Sequence, residues 1–332
     1  MQTKIYFGTY TKEKSKGIYQ VYLDETNGQF TDFKKIITLQ NPTYLSKTDD
    51  FLFSLIQDGD KAGLASFNTR NDLISSALIE GPAPCHIAVD YQRQLAFGAN
   101  YHKGEITLYH FNQLGKLSLT DCFQLSHPNQ GQSRAHFVGL SPDKYLVTCD
   151  LGADAVTTFK LVDNNSHLEK ITHYQAQAGA GCRQLVFHPN EKIAYLLCEL
   201  NSTVEVLIYN GYGYFELLQT VSTLPDSYAD FNACAAIRIS ADGRFLYCSN
   251  RGHDSITLFK IRRDGQLEVL DYVASAGQTP RDFNISPSQN YLIVAHQESN
   301  TISLFKRDQD SGKLNLLSNT LEVPEPTCVL FD

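Results

Sequence analysis

The chain has 332 residues, 42% of them apolar, and carries 28 basic against 36 acidic side chains for a formal net charge of −8. This composition is that of a globular protein, and so acidic a chain offers no broad positive field to a nucleic-acid backbone. No apolar run approaches the roughly 20 residues of a membrane helix, so neither nucleic acid nor membrane is an expected partner.

The sequence passes from Met1 directly into the strand-like Lys4–Tyr10, without the apolar stretch of a signal peptide, and this predicts a soluble, cytoplasmic protein. Trp is absent, Met occurs once, and the aromatics are 18 Tyr and 19 Phe, residues that favour strands. Along the chain Ile106–Tyr109, Phe245–Cys248, Tyr291–Ala295 and Ile302–Phe305 alternate with period two, and no segment sustains a helical period. Arg134–Phe159 and Arg281–Phe305 repeat one order of parts. A first strand ends in Leu140-Ser141-Pro142-Asp143 or Ile285-Ser286-Pro287-Ser288, and a second follows over Tyr145–Cys149 or Tyr291–Ala295. A polar loop, a third strand ending in Phe159 or Phe305, a turn and a fourth strand complete the unit. Asp264-Gly265 and Ser311-Gly312 are the short hairpin connectors such a unit needs.

Aligned by their first strands, the units have anchors at Thr43, His86, His136, Arg183, Ala235, Arg281 and Thr327, with a mean spacing near 47 residues. Four-stranded units at this spacing are propeller blades. The chain opens on a second strand, Ile5–Thr9, and closes on a lone first strand, Thr327–Phe331. The expected fold is therefore all-β: a seven-bladed β-propeller of four-stranded antiparallel blades, its C-terminal strand completing the N-terminal blade and covering exposed edges. Residues 1–332 form a single domain in this reading. Seven of the eight cysteines fall at strand starts (Cys85, Cys182, Cys234, Cys328) or strand ends (Cys149, Cys198, Cys248), and with no CxxC the cysteines read as buried reduced thiols.

In this topology the starts of first strands and the ends of second strands share one face. First strands bring His86, Arg134, His136, Arg183 and Arg281 there; second strands bring Asn100, Asp150, Glu199, Asn250, Arg251 and His296. Convergent polar groups at the mouth of a closed β fold are the default site. The competing reading of Asn100, Asn250 and Asp150 is that of turn formers. Arginines aimed into a mouth are costly to desolvate unless an anion meets them, so the ligand expected is a small anion, with internal ion pairs to Asp150, Glu199, Asp254 or Asp282 as the alternative. No GxGxxG, Walker, GxSxG or HExxH motif is present.

The run Ser249-Asn250-Arg251-Gly252-His253-Asp254-Ser255-Ile256, with Tyr6-Phe7-Gly8-Thr9-Tyr10-Thr11 and Cys149-Asp150-Leu151-Gly152-Ala153-Asp154, resembles the seven-bladed propeller lactonase family over essentially the whole chain. That family includes 6-phosphogluconolactonases and a fungal carboxymuconate lactonizing enzyme. By motif position the resemblance implies catalytic roles for His136, Arg183, Glu199 and Arg251. The pattern departs at the fifth first strand, which reads Cys182-Arg183-Gln184, and at the sixth, where Ala236 and Arg238 stand for an acidic residue and a histidine. These departures leave His136 and Glu199 as the acid–base pair.

The resemblance implies hydrolysis of 6-phospho-D-glucono-1,5-lactone in the pentose phosphate pathway; no cofactor or metal is expected, since four arginines at one mouth argue against a cation there. Arg183 and Arg251 would stabilise the oxyanion, and Arg134, Arg281, Asp150, His86 and Asn250 would bind substrate, the two arginines holding its phosphate. Other readings of the same face are a calcium-dependent lactonase using Asn100, Asp150, Glu199 and Asn250, a non-catalytic propeller holding a sugar phosphate or peptide, and a cycloisomerase or lactonase for another carboxylated lactone. The partner expected is a small anionic molecule, and the chain is expected to be a monomer or weak homodimer.

Overall fold

A computed structural model describes residues 2–127 and 131–332, and among them every regular element is a β-strand. The chain divides into two compact units, one of residues 1–38, 186–208 and 217–332, the other of residues 39–185 and 209–216.

The second unit contains three four-stranded sheets, each in sequence order. They are Leu45–Lys47, Leu52–Asp58, Lys61–Phe67 and Leu73–Glu80; His86–Asp90, Leu95–Asn100, Glu105–Phe111 and Leu117–Gln124; and Ala135–Leu140, Leu146–Asp150, Ala155–Val162 and His167–Gln175. In the first unit the strands Ala233–Ile239, Phe245–Arg251, Ser255–Ile261 and Leu267–Ala274 form one sheet. Pro280–Ile285, Tyr291–His296, Thr301–Arg307 and Leu314–Glu322 form the next. Its third sheet is closed by the chain ends: Pro326–Phe331 pairs antiparallel with Gln2–Thr9, which continues into Gly17–Asp24 and Gln29–Thr38. A further sheet consists of Cys182–Phe187, Ile193–Cys198, Thr203–Tyr209 and Phe215–Ser222. These are the seven blades the repeat predicts; six anchors fall inside their first strands, and Thr43 lies two residues before its own, Leu45–Lys47.

Alternation is the wrong description of the second strands. Tyr291–His296 and Leu95–Asn100 are buried at every position. The reason is packing on both faces of a blade. Tyr291 and Ile293 meet Ile5, Phe7 and Val21 on one side, while Leu292 and Val294 meet Tyr247, Leu258 and Phe283 on the other. Truncating Phe7, which is fully buried, would cost about 3–5 kcal/mol. Outer strands such as Leu117–Gln124 keep the alternation, because one face meets water.

Between blades of the first unit the same staple recurs. The Tyr195 hydroxyl donates to the Gly265 carbonyl (3.0 Å), Tyr247 to Gly312 (2.7 Å) and Tyr291 to Glu25 (2.7 Å). Each acceptor lies in a turn between third and fourth strands. Gly265 and Gly312 have φ of +82° and +73°, the left-handed region that favours glycine. Burial pushes the Tyr247 phenol up to about 12 against the opposing pull of Arg307, so it remains a donor at physiological pH.

All eight cysteines are free thiols; six are buried, Cys85 is half-buried and Cys122 is exposed on an outer strand. Burial pushes the Cys234 thiol up to about 11, which makes it a small apolar filler rather than a nucleophile. No helix is long and apolar enough to cross a membrane among the described residues.

The closing strand is preceded by Glu325, whose carboxylate accepts the backbone N–H groups of Lys12, Glu13, Lys14 and Ser15 at 3.0–3.2 Å. Glu325→Ala removes the shared acceptor, with an expected loss of about 2–4 kcal/mol of stability. Equilibrium denaturation checks this, and a change below about 0.5 kcal/mol, the range of an ordinary surface substitution, would contradict it.

Candidate active site

In the second unit, His136 lies where the ladder between the first and second strands slips. Ala135 pairs with Asp150 and Phe137 with Cys149, so His136 is the extra residue of a β-bulge. Bulges re-aim a side chain out of the regular pleat and are frequent beside active sites. His136 is half-buried, with the Tyr101 ring 5.9 Å away and nearly perpendicular. Tyr101 also holds Arg134. The guanidinium donates to the phenol oxygen at 2.6 Å and lies 5.2 Å from the ring centroid. Tyr101 therefore links a histidine and an arginine of the predicted set.

Asp150 is buried and works on the backbone: one carboxylate oxygen accepts the N–H groups of Arg134 (2.6 Å), Gly152 (3.1 Å) and Ala153 (3.1 Å). A Cβ on Gly152 would come within 2.0 Å of the Gln132 carbonyl. Glycine and carboxylate together hold the segment before His136 against the end of the second strand. His86 is buried between the Tyr44 and Phe137 rings at 4.2 and 4.7 Å. Arg183 is 5% exposed, at the start of Cys182–Phe187.

In the first unit, Arg251 and Glu199 form an ion pair at 2.8 Å, each side chain 15% exposed. Arg251 also donates to the Ala233 and Cys234 carbonyls, both at 3.1 Å. The guanidinium is thus fixed by two carbonyls and a carboxylate. Gly252 has φ of +120°, and a Cβ there would meet the Phe231 carbonyl at 2.1 Å. This is the physical requirement behind the glycine of the Asn250-Arg251-Gly252 run.

Arg281 repeats the geometry of His136. Pro280 pairs with His296 and Asp282 with Ala295, so Arg281 is the extra residue of a bulge. Its guanidinium donates to the Tyr10 hydroxyl at 3.3 Å and lies 5.5 Å from that ring. Among the described residues neither Arg134 nor Arg281 has a carboxylate within ion-pair distance. Tyr10 and Tyr101, which hold the two arginines, lie outside the site residues the sequence points to, although Tyr10 belongs to the Tyr6–Thr11 run. The available signal was their shared position, directly after a second strand.

Asn250 has a different role from the substrate contact expected of it. It is fully buried, and its amide donates to Thr223, Ser255 and Thr257 while its carbonyl accepts from Thr223 and Asn232. Its hydrogen-bonding capacity is committed to the framework, as is Asp150's in large part. Asn100 likewise donates to the Pro82 carbonyl and accepts the Lys103 N–H. The oxygen donors a calcium site would recruit are thus largely engaged. Among the described residues no group of three or more His, Cys, Asp or Glu side chains is placed to hold a metal ion. Arg238, at a position where the family pattern has a histidine, pairs with Asp282 at 2.7 Å.

A family model described as Lactonase, 7-bladed beta-propeller, matches residues 4–331. A Bacillus subtilis protein named 6-phosphogluconolactonase is 36% identical over 342 residues, covering 98% of this chain and 97% of the relative. A crystal structure of a protein from Lactobacillus plantarum is 38% identical, with a TM-score of 0.97 and coverage of 100% of this chain and 99% of that one. The periplasmic gluconolactonase of Pseudomonas aeruginosa is 27% identical, with a TM-score of 0.90 and coverage of 100% and 99%.

His296 is fully buried, and its pKa is lowered by burial against the opposing pull of the Thr301 and Ser275 carbonyls. The folded state therefore prefers the neutral imidazole. Its contribution to stability is complete above the unfolded value of 6.5 and is lost as pH falls through the lower folded value. Denaturation midpoints measured downward from pH 7.5 should decline below about 6.5, and more shallowly in His296→Gln; an identical slope in the variant would contradict this.

Proposed function

The chain belongs to the seven-bladed β-propeller lactonase family and is a lactone hydrolase, and on that premise we propose that its substrate is 6-phospho-D-glucono-1,5-lactone. The observation that carries the choice of a phosphorylated substrate is half-buried Arg281, held on Tyr10 and unmatched by a carboxylate among the described residues; Arg134 on Tyr101 repeats the arrangement within the other unit. Guanidinium groups left in this state suit an anionic ligand. The name of the Bacillus subtilis relative supports the same substrate. Such a lactone arises from oxidation of a sugar phosphate at its anomeric carbon, which fits a cytoplasmic role in the pentose phosphate pathway.

His136 takes a proton from water as the water oxygen bonds to the lactone carbonyl carbon. An imidazole serves here because its reference pKa lies near working pH. Arg183 and Arg251 stabilise the oxyanion of the tetrahedral intermediate. Its collapse breaks the bond to the ring oxygen, which receives the proton from His136, and the new acid ionises to the carboxylate of 6-phosphogluconate. Glu199 holds Arg251 in position through their ion pair, and an ion-paired carboxylate suits that task better than proton transfer.

The test follows disappearance of the lactone, generated in situ from glucose 6-phosphate, against its spontaneous hydrolysis. Wild-type protein should accelerate it with or without chelator, and His136→Ala should lose most of the acceleration. Arg183→Ala should cost about 2.7–4 kcal/mol in kcat/KM if it is an oxyanion donor. No acceleration by wild-type protein would overturn the substrate, and loss of activity under chelation would overturn the metal-free mechanism.

A further inference from the structure

Tyr10 carries two cations. The Arg281 guanidinium lies 5.5 Å from its ring centroid and donates to its hydroxyl, and the Lys12 ammonium lies 4.2 Å from the same centroid. Two carboxylates beside the cluster, Asp282 next to Arg281 in the chain and Glu325 against the Lys12 backbone, are engaged elsewhere. Asp282 pairs with Arg238 and accepts the Val329 N–H. Glu325 is 7% exposed and accepts the four backbone N–H groups of residues 12–15. That anchor fixes the backbone from which Lys12 projects without pairing the Lys12 ammonium. Among the described residues no carboxylate lies within ion-pair distance of either cation.

A cation over an aromatic ring gains about 0.5–1 kcal/mol at an exposed site. The cluster places two like charges on one ring with no carboxylate between them among the described residues, a local field that favours an anion there. Its chemistry specifies which kind. Arg281 offers a fork of donors and Lys12 a compact charge. Tyr10, whose oxygen accepts from Arg281, retains its own proton to donate. A phosphate monoester carries a charge of about −1.5 to −2 at pH 7 and three acceptor oxygens, which matches two cations and a hydroxyl. A carboxylate would leave one charge uncompensated.

We propose that Arg281, Lys12 and Tyr10 form the subsite for the substrate's phosphate monoester and thereby select a phosphorylated over an unphosphorylated sugar lactone. The proposal rests on the lactonase reading above and adds Lys12 and Tyr10 as specificity-determining residues.

The experiment measures kcat/KM for 6-phosphoglucono-1,5-lactone and for glucono-1,5-lactone, together with calorimetric binding of 6-phosphogluconate and of inorganic phosphate. Loss of one charge-assisted contact should lower the phosphorylated-to-unphosphorylated ratio about tenfold in Lys12→Ala, and further in Lys12→Ala/Arg281→Ala. Lys14→Ala removes a charge from the same exposed loop and should leave the ratio within about twofold, well inside one such contact. An equal fall for both lactones in Lys12→Ala, or a fall in Lys14→Ala as large as in Lys12→Ala, would overturn the subsite. Hydrolysis of neither lactone by wild-type protein would overturn the lactonase reading alone. The subsite would then stand if 6-phosphogluconate binds wild-type protein and not the double variant, and it would fall if neither phosphate ligand binds the wild type.

Discussion

The pairing of the last strand with the first is the interaction on which the account depends. A series of four-stranded sheets ends in unpaired edges unless its two ends meet, and here Pro326–Phe331 supplies the missing first strand beside Gln2–Thr9. The register is irregular at its start: Thr9 pairs with Pro326 and Gly8 with Cys328, leaving Thr327 as an extra residue. Immediately before it, Glu325 gathers the backbone of residues 12–15. One junction therefore completes a blade, anchors the loop after the first strand and determines where Tyr10 and Lys12 stand. The fold's solution to its edge problem is also what positions the cations beside Arg281.

The bulges extend this link between architecture and chemistry. Regular blades bury both faces of their second strands, which leaves little freedom to side chains in the ladder. An extra residue at the start of a first strand escapes that constraint. His136 and Arg281 occupy this place in two different blades, Thr327 in a third, and Ala235 and Ala236 in a fourth. Among the described residues two of these four slips carry a titratable or cationic group and the other two do not. The repeat thus offers equivalent positions at which side-chain chemistry can vary while the sheet continues to pair beneath it.

The blade count and strand order were legible because they rest on local chemistry: Ser-Pro-Asp and Asp-Gly turns and apolar strands recurring near every 47 residues. Burial was less legible, since packing on both faces of a blade is a property of the assembled sheets and leaves a short segment such as Tyr291–Ala295 looking half-alternating. Within the candidate site, the strand ends identified the right neighbourhood without separating two kinds of residue found there. Asn250 and Arg251 are adjacent in one motif, yet Asn250 is a fully engaged framework amide while Arg251 is fixed beside Glu199. The difference lies in hydrogen bonds to Thr223 and Asn232, which are distant in sequence. Nothing in the sequence marks Tyr10 and Tyr101 as holding arginines, since a tyrosine in a strand-rich chain is ordinarily core.

The most direct measurement is a crystal structure of the protein with bound 6-phosphogluconate. The account predicts phosphate oxygens within about 3 Å of the Arg281 guanidinium, the Tyr10 hydroxyl and the Lys12 ammonium, the separation of charge-assisted hydrogen bonds. The Glu325 anchor should be unchanged. A phosphate seated elsewhere, with Lys12 and Arg281 still on the Tyr10 ring and no phosphate oxygen beside them, would contradict it.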